Sequence, residues 1–283
     1  MGVCLRISLP VMTVSLLFCG ICNGEDQSSG PSASAQDQVS TGQVTPKPAP
    51  ASGSDWQTDV TLYVWLPGVH GNLGAFGYNL GYKASASDLI SHADTPVMGL
   101  IGLQYKPVVF IIDSYYAPFS VTNAKVFAQL PGQPVLTGNV NYTQVELTVE
   151  GGYRLLDHHK LKIDALTGYR YWHNGVSLNV TTAQRGASAY GSTNYADPLV
   201  GGRIVVPLFP KLSATLWGDV GGWGAGAQLD YQMVGALTYK IKPRWGIDAA
   251  WRYNYTDYGA IIHSVTAQSG IVIGATYHLT GAE

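Results

Sequence analysis

The stretch LDYQMVGALTYKI, residues 229–241, alternates residue by residue between two kinds of side chain. WGIDAAWRYNYT, residues 245–256, repeats the alternation after a gap of three residues. A period of two places successive side chains on opposite faces of a β-strand, so the two stretches predict a hairpin. One face carries large apolar residues and the other carries polar or small ones. The large apolar set is Leu229, Tyr231, Met233, Leu237, Tyr239, Ile241, Trp245, Ile247, Trp251, Tyr253 and Tyr255.

The same alternation recurs along the rest of the chain. The segments are 56–66, 97–105, 108–118, 142–155, 160–171, 198–208, 211–220, 229–241, 245–256 and 270–279. After the first 24 residues no apolar run approaches the 18 residues or so that a membrane helix needs, although the chain is 46% hydrophobic and only 12% charged. We therefore predict an all-β fold, a closed antiparallel transmembrane β-barrel of about ten strands. Twelve strands are possible if residues 70–82 and part of 174–196 also pair.

Charged residues fall on the face opposite the large apolar side chains. A charge that faces hydrocarbon costs a barrel several kcal/mol, so these side chains must point inward. The predicted lumen charge network is Asp113, Glu146, Glu150, Asp164, Arg170, Arg203, Asp219, Asp230, Asp248 and Arg252. It either selects solutes or pairs internally and closes the lumen. Arg154, Arg170, Arg203 and Arg252 face these carboxylates, which favours pairing, because an inward charge without a partner is costly.

Ring placement and connection length indicate how the barrel sits. Trp245 and Tyr255 share a face ten residues apart, which at a rise of about 3.3 Å and a tilt of about 40° separates them by roughly 25 Å along the membrane normal. That is the height of an outer-membrane apolar band. The connections 105–108, 155–160, 208–211 and 241–244 are short, while 119–140, 174–196 and 258–269 are long. Short periplasmic turns and longer external loops are expected of such barrels.

The N-terminal part predicts export. Residues 1–24 have one early base, Arg6, then an apolar stretch and small residues at a possible cleavage site, which is typical of a signal peptide. Residues 25–55 are rich in Ser, Pro, Ala and Gln and predict a flexible periplasmic linker, which leaves 56–283 as the barrel. All three cysteines, Cys4, Cys19 and Cys22, lie in the signal, so no disulfide or thiol chemistry is expected in the exported chain.

Several short motifs carry a resemblance. They are residues 56–66, Asp88-Leu89-Ile90, DPLVGGR at 197–203, GDVGGWG at 218–224 and WRYNYTDY at 251–258. Over residues 56–279 the chain resembles a broad family of bacterial outer-membrane β-barrel proteins often described as porin-like. The resemblance implies a location and a fold, but no agreed substrate or catalytic set. The C-terminal strand is similar to the barrel-assembly signal, except that Leu279 replaces the usual final aromatic and four residues follow it.

Three motifs were weighed for chemistry. Gly222-Trp-Gly-Ala-Gly226 superficially has the glycine spacing of a dinucleotide-binding loop, but no helix pattern or βαβ unit comes after it. The glycines lie between two alternating strands and predict a tight turn. Four histidines near loops or segment ends lack a nucleophile motif: His70, His92, His173 and His263. Residues 84–94 predict one or two helical turns capped by Ser85 or Ser87, as a loop helix or as a plug in the barrel mouth.

The functional prediction is accordingly broad. We expect a bacterial outer-membrane protein that is not an enzyme, either a narrow porin-like channel or a structural barrel with passive small-solute permeation at most. The alternatives are a barrel-borne lipid-modifying enzyme and a surface-interaction barrel such as an adhesin. Outer-membrane lipids and the barrel-assembly machinery are the expected partners; no cofactor or metal is expected, and the oligomeric state is left open. One of the 16 Lys and Arg residues, Arg6, precedes Glu25, so the exported chain has 15 basic residues against 18 acidic ones. That balance offers no broad positive field for binding nucleic acid.

Overall fold

The structure of the chain is a computed structural model. It describes residues 56–75, 78–94, 96–126, 136–158, 160–181, 186–259 and 263–280. The predicted signal peptide and linker lie outside the described residues. Within these ranges the chain forms eleven strands and one short helix. They are β1 (Trp56–Ala75), β2 (Tyr78–Ala84), α1 (Ala86–His92), β3 (Val97–Tyr105), β4 (Val108–Val126), β5 (Leu136–His158), β6 (Leu161–Thr181), β7 (Gly186–Phe209), β8 (Leu212–Gly222), β9 (Leu229–Lys242), β10 (Trp245–Gly259) and β11 (His263–Thr280).

The strands close into an antiparallel barrel. Ten of them, β1 and β3 to β11, pair in chain order, and β1 then pairs with β11 from Thr58↔Thr280 to Gly74↔His263. The short strand β2 is additional and pairs with the upper part of β1, from Val69 to Ala75. The predicted all-β fold with a closed ten-strand barrel is confirmed. Among the described residues, no helix has the length and apolar character to cross a membrane.

Three connections predicted as long loops are largely strand. Residues 119–126 and 136–141 pair with each other, as do 174–181 with 186–193 and 257–259 with 263–265. The loop prediction was wrong here because apolar and polar residues alternate only where one face of a strand meets an apolar environment and the other a polar one. Where both faces meet water, the hydrogen-bonded ladder continues without that pattern. Residues 70–82 also pair, as the end of β1 with β2. Residues 70–75 lengthen β1, and residues 78–82 belong to the additional strand β2, which pairs with β1 alone, so the barrel has ten strands and not twelve.

The barrel has two unlike ends. The turn side holds the short connections, such as the two-residue turn between β3 and β4, where Lys106 adopts a positive φ of 53°. The loop side holds the extended hairpins and the bend from Gly222 to Gln228, which joins β8 to β9 and confirms the predicted turn. Each end carries paired rings on the outer surface: Trp245 lies 4.8 Å from Tyr277 near the turn side, and Tyr231 lies 5.1 Å from Tyr255 near the loop side. The rings stand where interfacial girdles are expected.

The two faces of the wall differ as the alternation predicts. Large apolar side chains are exposed on the outer surface, whereas carboxylates, guanidinium groups and amides are buried inside. Some inward positions must be glycine because the wall is strongly coiled. A Cβ at Gly168 would lie 1.9 Å from the Val149 carbonyl oxygen, and one at Gly152 would lie 2.0 Å from the Ala165 carbonyl oxygen. Side chains at these points would force neighbouring strands apart.

The helix α1 forms as the 84–94 stretch predicts. Ser85 is its N-cap: its hydroxyl accepts a hydrogen bond from the Asp88 backbone N–H, and the Asp88 carboxylate accepts one from the Ser85 backbone N–H at 2.9 Å. This capping box satisfies two donors that the first helical turn leaves free. None of the residues in α1 is buried, so it is a loop helix and not a plug. The Ser85 hydroxyl also donates to the Asp88 carboxylate at 2.6 Å, and this bond, with the one from the Ser85 backbone N–H, lowers the pKa of the exposed Asp88 carboxyl.

Candidate functional site

The most concentrated chemistry lies in the lumen. Arg252 on β10 points inward and is almost fully buried. Its Nη1 donates to Asp113 on β4 at 2.9 Å, and its Nη2 donates to Glu146 on β5 at 2.6 Å. The guanidinium lies over two rings, 4.9 Å from Trp65 and 5.5 Å from Tyr115. Arg252 is thus held by charge-assisted hydrogen bonds on one side and by aromatic faces on the other.

A second fully buried guanidinium, Arg170 on β6, lies beside the first. Its Nη2 donates to both carboxylate oxygens of Asp219 at 2.8 Å, and its Nη1 donates to Asp230 at 2.8 Å. Its Nε lies 3.3 Å from the same Glu146 oxygen that Arg252 binds. Glu146 therefore joins the two arginines in one set, which we call the central network: Asp113, Glu146, Arg170, Asp219, Asp230 and Arg252.

The central network spans the full width of the barrel. In the ring of ten strands, four strands separate β5 from β10 in either direction, so the two strands face each other across the lumen. Glu146 on β5 receives hydrogen bonds from both Arg252 and Asn254 on β10, at 2.6 and 3.0 Å. Such bonds between opposite strands require that the lumen at this level is filled by the side chains themselves. A ten-strand wall leaves little more space than side chains of this size occupy.

Neutral groups complete the central network. Tyr63 donates to Asp113 at 2.7 Å, Trp172 Nε1 donates to Asp230 at 2.8 Å, and Gln232 donates to Asp219 at 3.2 Å. These partners saturate carboxylate oxygens that two arginines alone could not cover. The network still has four carboxylates against two guanidinium groups, so its charge is biased toward negative.

A second set of paired charges lies nearer the turn side. Asp164 on β6 is fully buried and receives Arg154 Nε at 2.8 Å and Arg203 Nη2 at 2.8 Å. Arg154 also reaches Gln104 at 2.7 Å and Asp157 at 3.2 Å. Of the predicted residues, Asp164 and Arg203 belong to this set and not to the central network.

Two further predicted residues have partners other than arginine. Glu150 accepts from Trp217 Nε1 at 2.8 Å, and Asp248 accepts from Thr238 and Thr276, each at 2.6 Å. The structure thus places all ten predicted residues on the inner face but divides them among these groups. Eight of them form ion pairs with a residue of opposite charge, whereas Glu150 and Asp248 accept hydrogen bonds from neutral donors.

Asp197 is the main participant that sequence reasoning missed. It is fully buried, and its Oδ1 accepts from the Ala227 backbone N–H at 2.7 Å. A Cβ at Gly226 would lie 2.7 Å from that oxygen, so glycine is what lets the 222–228 turn approach the lumen. Asp197 has the same strand parity as Arg203, six residues later on β7, so the alternation could have placed it inside. Nothing in the sequence indicates that Trp172 and Trp217 donate hydrogen bonds to carboxylates, because an inward-facing tryptophan is normally interpreted as apolar packing.

The four loop histidines do not assemble into a catalytic arrangement. His92 Nδ1 lies 3.0 Å from Ser91 Oγ and 2.7 Å from the Asp88 carbonyl oxygen, so one nitrogen serves both contacts. A Ser–His pair that activates a nucleophile needs one ring nitrogen for the serine and the other for an orienting group. His173 contacts Asn194, and His263 lies 3.6 Å from Asp257. Among the described residues, no group of three or more His, Cys, Asp or Glu could hold a metal ion.

Comparison with known proteins shows the fold. The outer membrane protease OmpT from Escherichia coli matches with a TM-score of 0.50 and 8% identity, covering 81% of this chain and 99% of that one. The chain has the fold of an outer-membrane β-barrel. The translocator domain of the autotransporter NalP from Neisseria meningitidis matches at a TM-score of 0.37 and 14% identity, covering 81% and 90% of the two chains. Ail of Yersinia pestis matches at 0.33 and 10%, covering 79% and 98%. No family model and no curated protein sequence matches the chain.

Proposed function

We propose that this protein is an integral outer-membrane barrel whose lumen is closed, so that it acts as a structural barrel with passive permeation of small solutes at most. The turn side faces the periplasm and the loop side faces outward. The observation that carries the proposal is the pair of hydrogen bonds from Arg252 and Asn254 to Glu146, which join opposite strands. In the central network every carboxylate oxygen already accepts a hydrogen bond, so a passing solute would have to displace a donor.

Any residual leak through the closed lumen should prefer cations. The central network presents four carboxylates against two guanidinium groups, and rings of carboxylates favour cations. A solute would first have to displace Arg252 or Arg170 from its partners, which makes such passage rare.

Liposome swelling tests closure. Vesicles that contain the purified protein are mixed with arabinose, glucose or a disaccharide, and the rate of swelling is compared with that of empty vesicles and of vesicles with a general porin. We expect the rate of empty vesicles for all three sugars. Swelling at the rate of the general porin would exclude a closed lumen.

A surface-interaction role is the second candidate, because β4 to β7 continue well beyond the loop-side rings. Residues 174–181 and 186–193 form a hairpin arm outside the predicted membrane band. Replacing residues 174–193 by an Asn-Gly turn keeps the His173↔Asn194 pair in register, so the barrel wall should still close; it removes only the β6 partner of residues 138–144 at the end of β5. Loss of cell attachment in this variant would support the surface role, and unchanged attachment would refute it for this arm.

The interpretation that the protein is not an enzyme stays a prediction. A lipid-modifying activity would change the lipid A or phospholipid profile of cells that produce the protein. Equal profiles with and without the protein are the expected result.

A further inference from the structure

The barrel wall has an unpaired stretch on one side. β1 pairs with β3 from Trp56 to Leu62 and with β2 from Val69 to Ala75. Between these ladders, residues 63–68 have no strand partner on that side among the described residues. Across the gap, β4 runs past the end of β3, which stops at the Val97↔Tyr116 pair. Beyond that pair, β4 is met by the Ala93↔Phe119 bridge, and β1 is paired with neither β3 nor β4; we call this interruption of the ladder near the loop side the seam.

The edges of the seam lack free donors. The Trp65 backbone N–H points into the seam and donates to Met98 Sδ at 3.1 Å. Residues two apart on a strand direct their backbone groups to the same side, so the backbone nitrogen of Pro67 also faces the seam. On the other edge the Pro118 carbonyl accepts from Asp94 N–H at 3.0 Å, so Pro118 also faces the seam. A proline at each edge removes a backbone N–H that would otherwise need a partner. The wall therefore tolerates an interruption here that would be costly elsewhere.

The lumen directly behind the seam is lined by aromatic side chains that adjoin the central network. Its buried cluster contains Tyr63, Trp65, Met98, Tyr115, Ala117, Trp172 and Val272, with Phe119 packed against it. Trp65 is 3% exposed, and its indole Nε1 has no hydrogen-bond partner. A buried indole N–H without an acceptor is unusual, because such a donor normally finds one. The cluster thus combines aromatic walls with one donor that is available to a ligand.

The helix α1 covers the seam. It packs on β1 and β4, and its segment is tied to β4 by the Ala93↔Phe119 bridge and by Ser120 Oγ, which donates to Asp94 at 2.8 Å. None of the α1 residues is buried, and Ile90 is 54% exposed. None of its own side chains is anchored in the barrel, so α1 is held at the seam by few contacts.

The seam lies at the level of one membrane leaflet. Tyr105, at the turn-side end of β3, packs 4.8 Å from Trp56, and Val97 ends the strand eight residues above it. At a rise of about 3.3 Å per residue and a tilt of about 40°, those eight residues climb about 20 Å. The seam therefore begins inside the loop-side edge of an apolar band about 25 Å tall. Acyl chains of the outward leaflet lie at this height.

We propose that the seam is a lateral portal through which an acyl chain of an outward-leaflet lipid reaches the aromatic cluster behind α1. The chain packs against Trp65, Met98 and Phe119, and Trp65 Nε1 donates to an ester or amide carbonyl of the same lipid. This proposal rests on the membrane location proposed above. It differs from passage along the lumen axis, which the central network blocks.

Photo-crosslinking tests the portal. The protein is purified from membranes and reconstituted with a phospholipid that carries a diazirine on one acyl chain, then illuminated and mapped by mass spectrometry. Adducts are expected on the inward-facing Trp65, Met98 or Phe119, as well as on outward residues such as Met233 and Leu237. Adducts on the outward residues report membrane embedding independently of the portal.

A reversible lock gives the matched control. Asp94→Cys with Ser120→Cys replaces a side-chain contact across the cover. Ile204→Cys with Leu216→Cys joins two exposed, directly paired positions on β7 and β8, away from the cover and from the lumen charges. When oxidised, the first pair should reduce the inward adducts to the level of the dark control, and reduction should restore them. The second pair should change nothing.

Two outcomes would overturn the proposal. Adducts confined to outward residues would mean that no acyl chain enters, and inward adducts unaffected by the oxidised Asp94/Ser120 lock would mean that entry is not through the seam. Absence of adducts on Met233 and Leu237 as well would contradict the membrane location itself.

Discussion

Arg252 and Arg203 are both inward-facing arginines bound to carboxylates, but their surroundings differ. Arg252 has a side chain 3% exposed and is the sole guanidinium bound to Asp113 among the described contacts. Arg203 is 19% exposed, and its partner Asp164 is also bound by Arg154. Removing one member of a buried pair is costly mainly because the other charge remains without compensation.

Arg252→Ala should therefore destabilise the barrel far more than Arg203→Ala. We expect Arg252→Ala to lower the free energy of unfolding by about 3–5 kcal/mol, the usual range for breaking a buried pair. Arg203→Ala, the matched control, should lose clearly less because Arg154 still compensates Asp164. Urea titration of refolding in detergent micelles measures both. Equal losses in the two variants would show that the central network contributes no more to stability than the Asp164 set does.

Adjacent residues on β9 should respond differently to the same substitution. Leu237 is 47% exposed on the outer surface, whereas Thr238 points inward and donates to Asp248 at 2.6 Å. Leu237→Arg should cost about 2–4 kcal/mol in a bilayer because the charge meets lipid near mid-membrane. Thr238→Arg should cost less, since Asp248 can pair with the new charge. Refolding titrations in lipid vesicles that gave equal losses would mean that the faces are reversed.

Sequence reasoning reached the faces of the strands but not the partners of the side chains. The two-residue period places Glu150 and Asp248 inward, as observed, but their donors Trp217, Thr238 and Thr276 lie on strands whose register the sequence does not give. Register across a barrel depends on the stagger of every strand pair, and a single chain carries no direct signal for it.

At the scale of elements, several strands extend beyond the segments in which apolar and polar residues alternate. β3 begins and ends as predicted because both of its ends lie in the apolar band, but β6 runs ten residues past its predicted end at 171. Trp172 and Gly175 in that extension are still buried, but beyond them the described side chains are exposed or half-buried, so hydrophobic alternation no longer marks the strand. The seam was also invisible in the sequence, because Pro67 and Pro118 look like ordinary strand interruptions until their edges face each other.

The α1 cap gives a prediction at this scale. Hydrogen bonds from Ser85 stabilise the ionised Asp88 carboxylate and lower its pKa. Because the folded pKa is below the ordinary aspartate value, this stabilisation of α1 is present above that ordinary value and is lost as pH falls through the folded pKa. Ser85→Ala should raise the Asp88 pKa toward normal and increase amide exchange in the first turn of α1. Carboxyl NMR titration measures the shift. Ser91→Ala is the control that should leave it unchanged, because Ser91 contacts the Asp88 backbone carbonyl and not its carboxylate.

At the scale of the whole molecule, the closed ladder predicts behaviour in detergent. A barrel without free edges keeps its hydrogen bonds in sodium dodecyl sulfate until it is heated. The protein should fractionate with the outer membrane and migrate anomalously in unheated gels, and heating should abolish the anomaly. Recovery as a soluble periplasmic monomer would contradict the membrane location.

The central claim is that side chains joining opposite strands close the lumen. Single-channel recording in planar bilayers tests it most directly, with the wild type and Arg252→Ala side by side. The wild type should show no steps of general-porin size, and Arg252→Ala should raise the current because water enters the vacated volume beside Asp113 and Glu146. A wild type that conducts like an open general porin, with an unchanged current in Arg252→Ala, would contradict the claim.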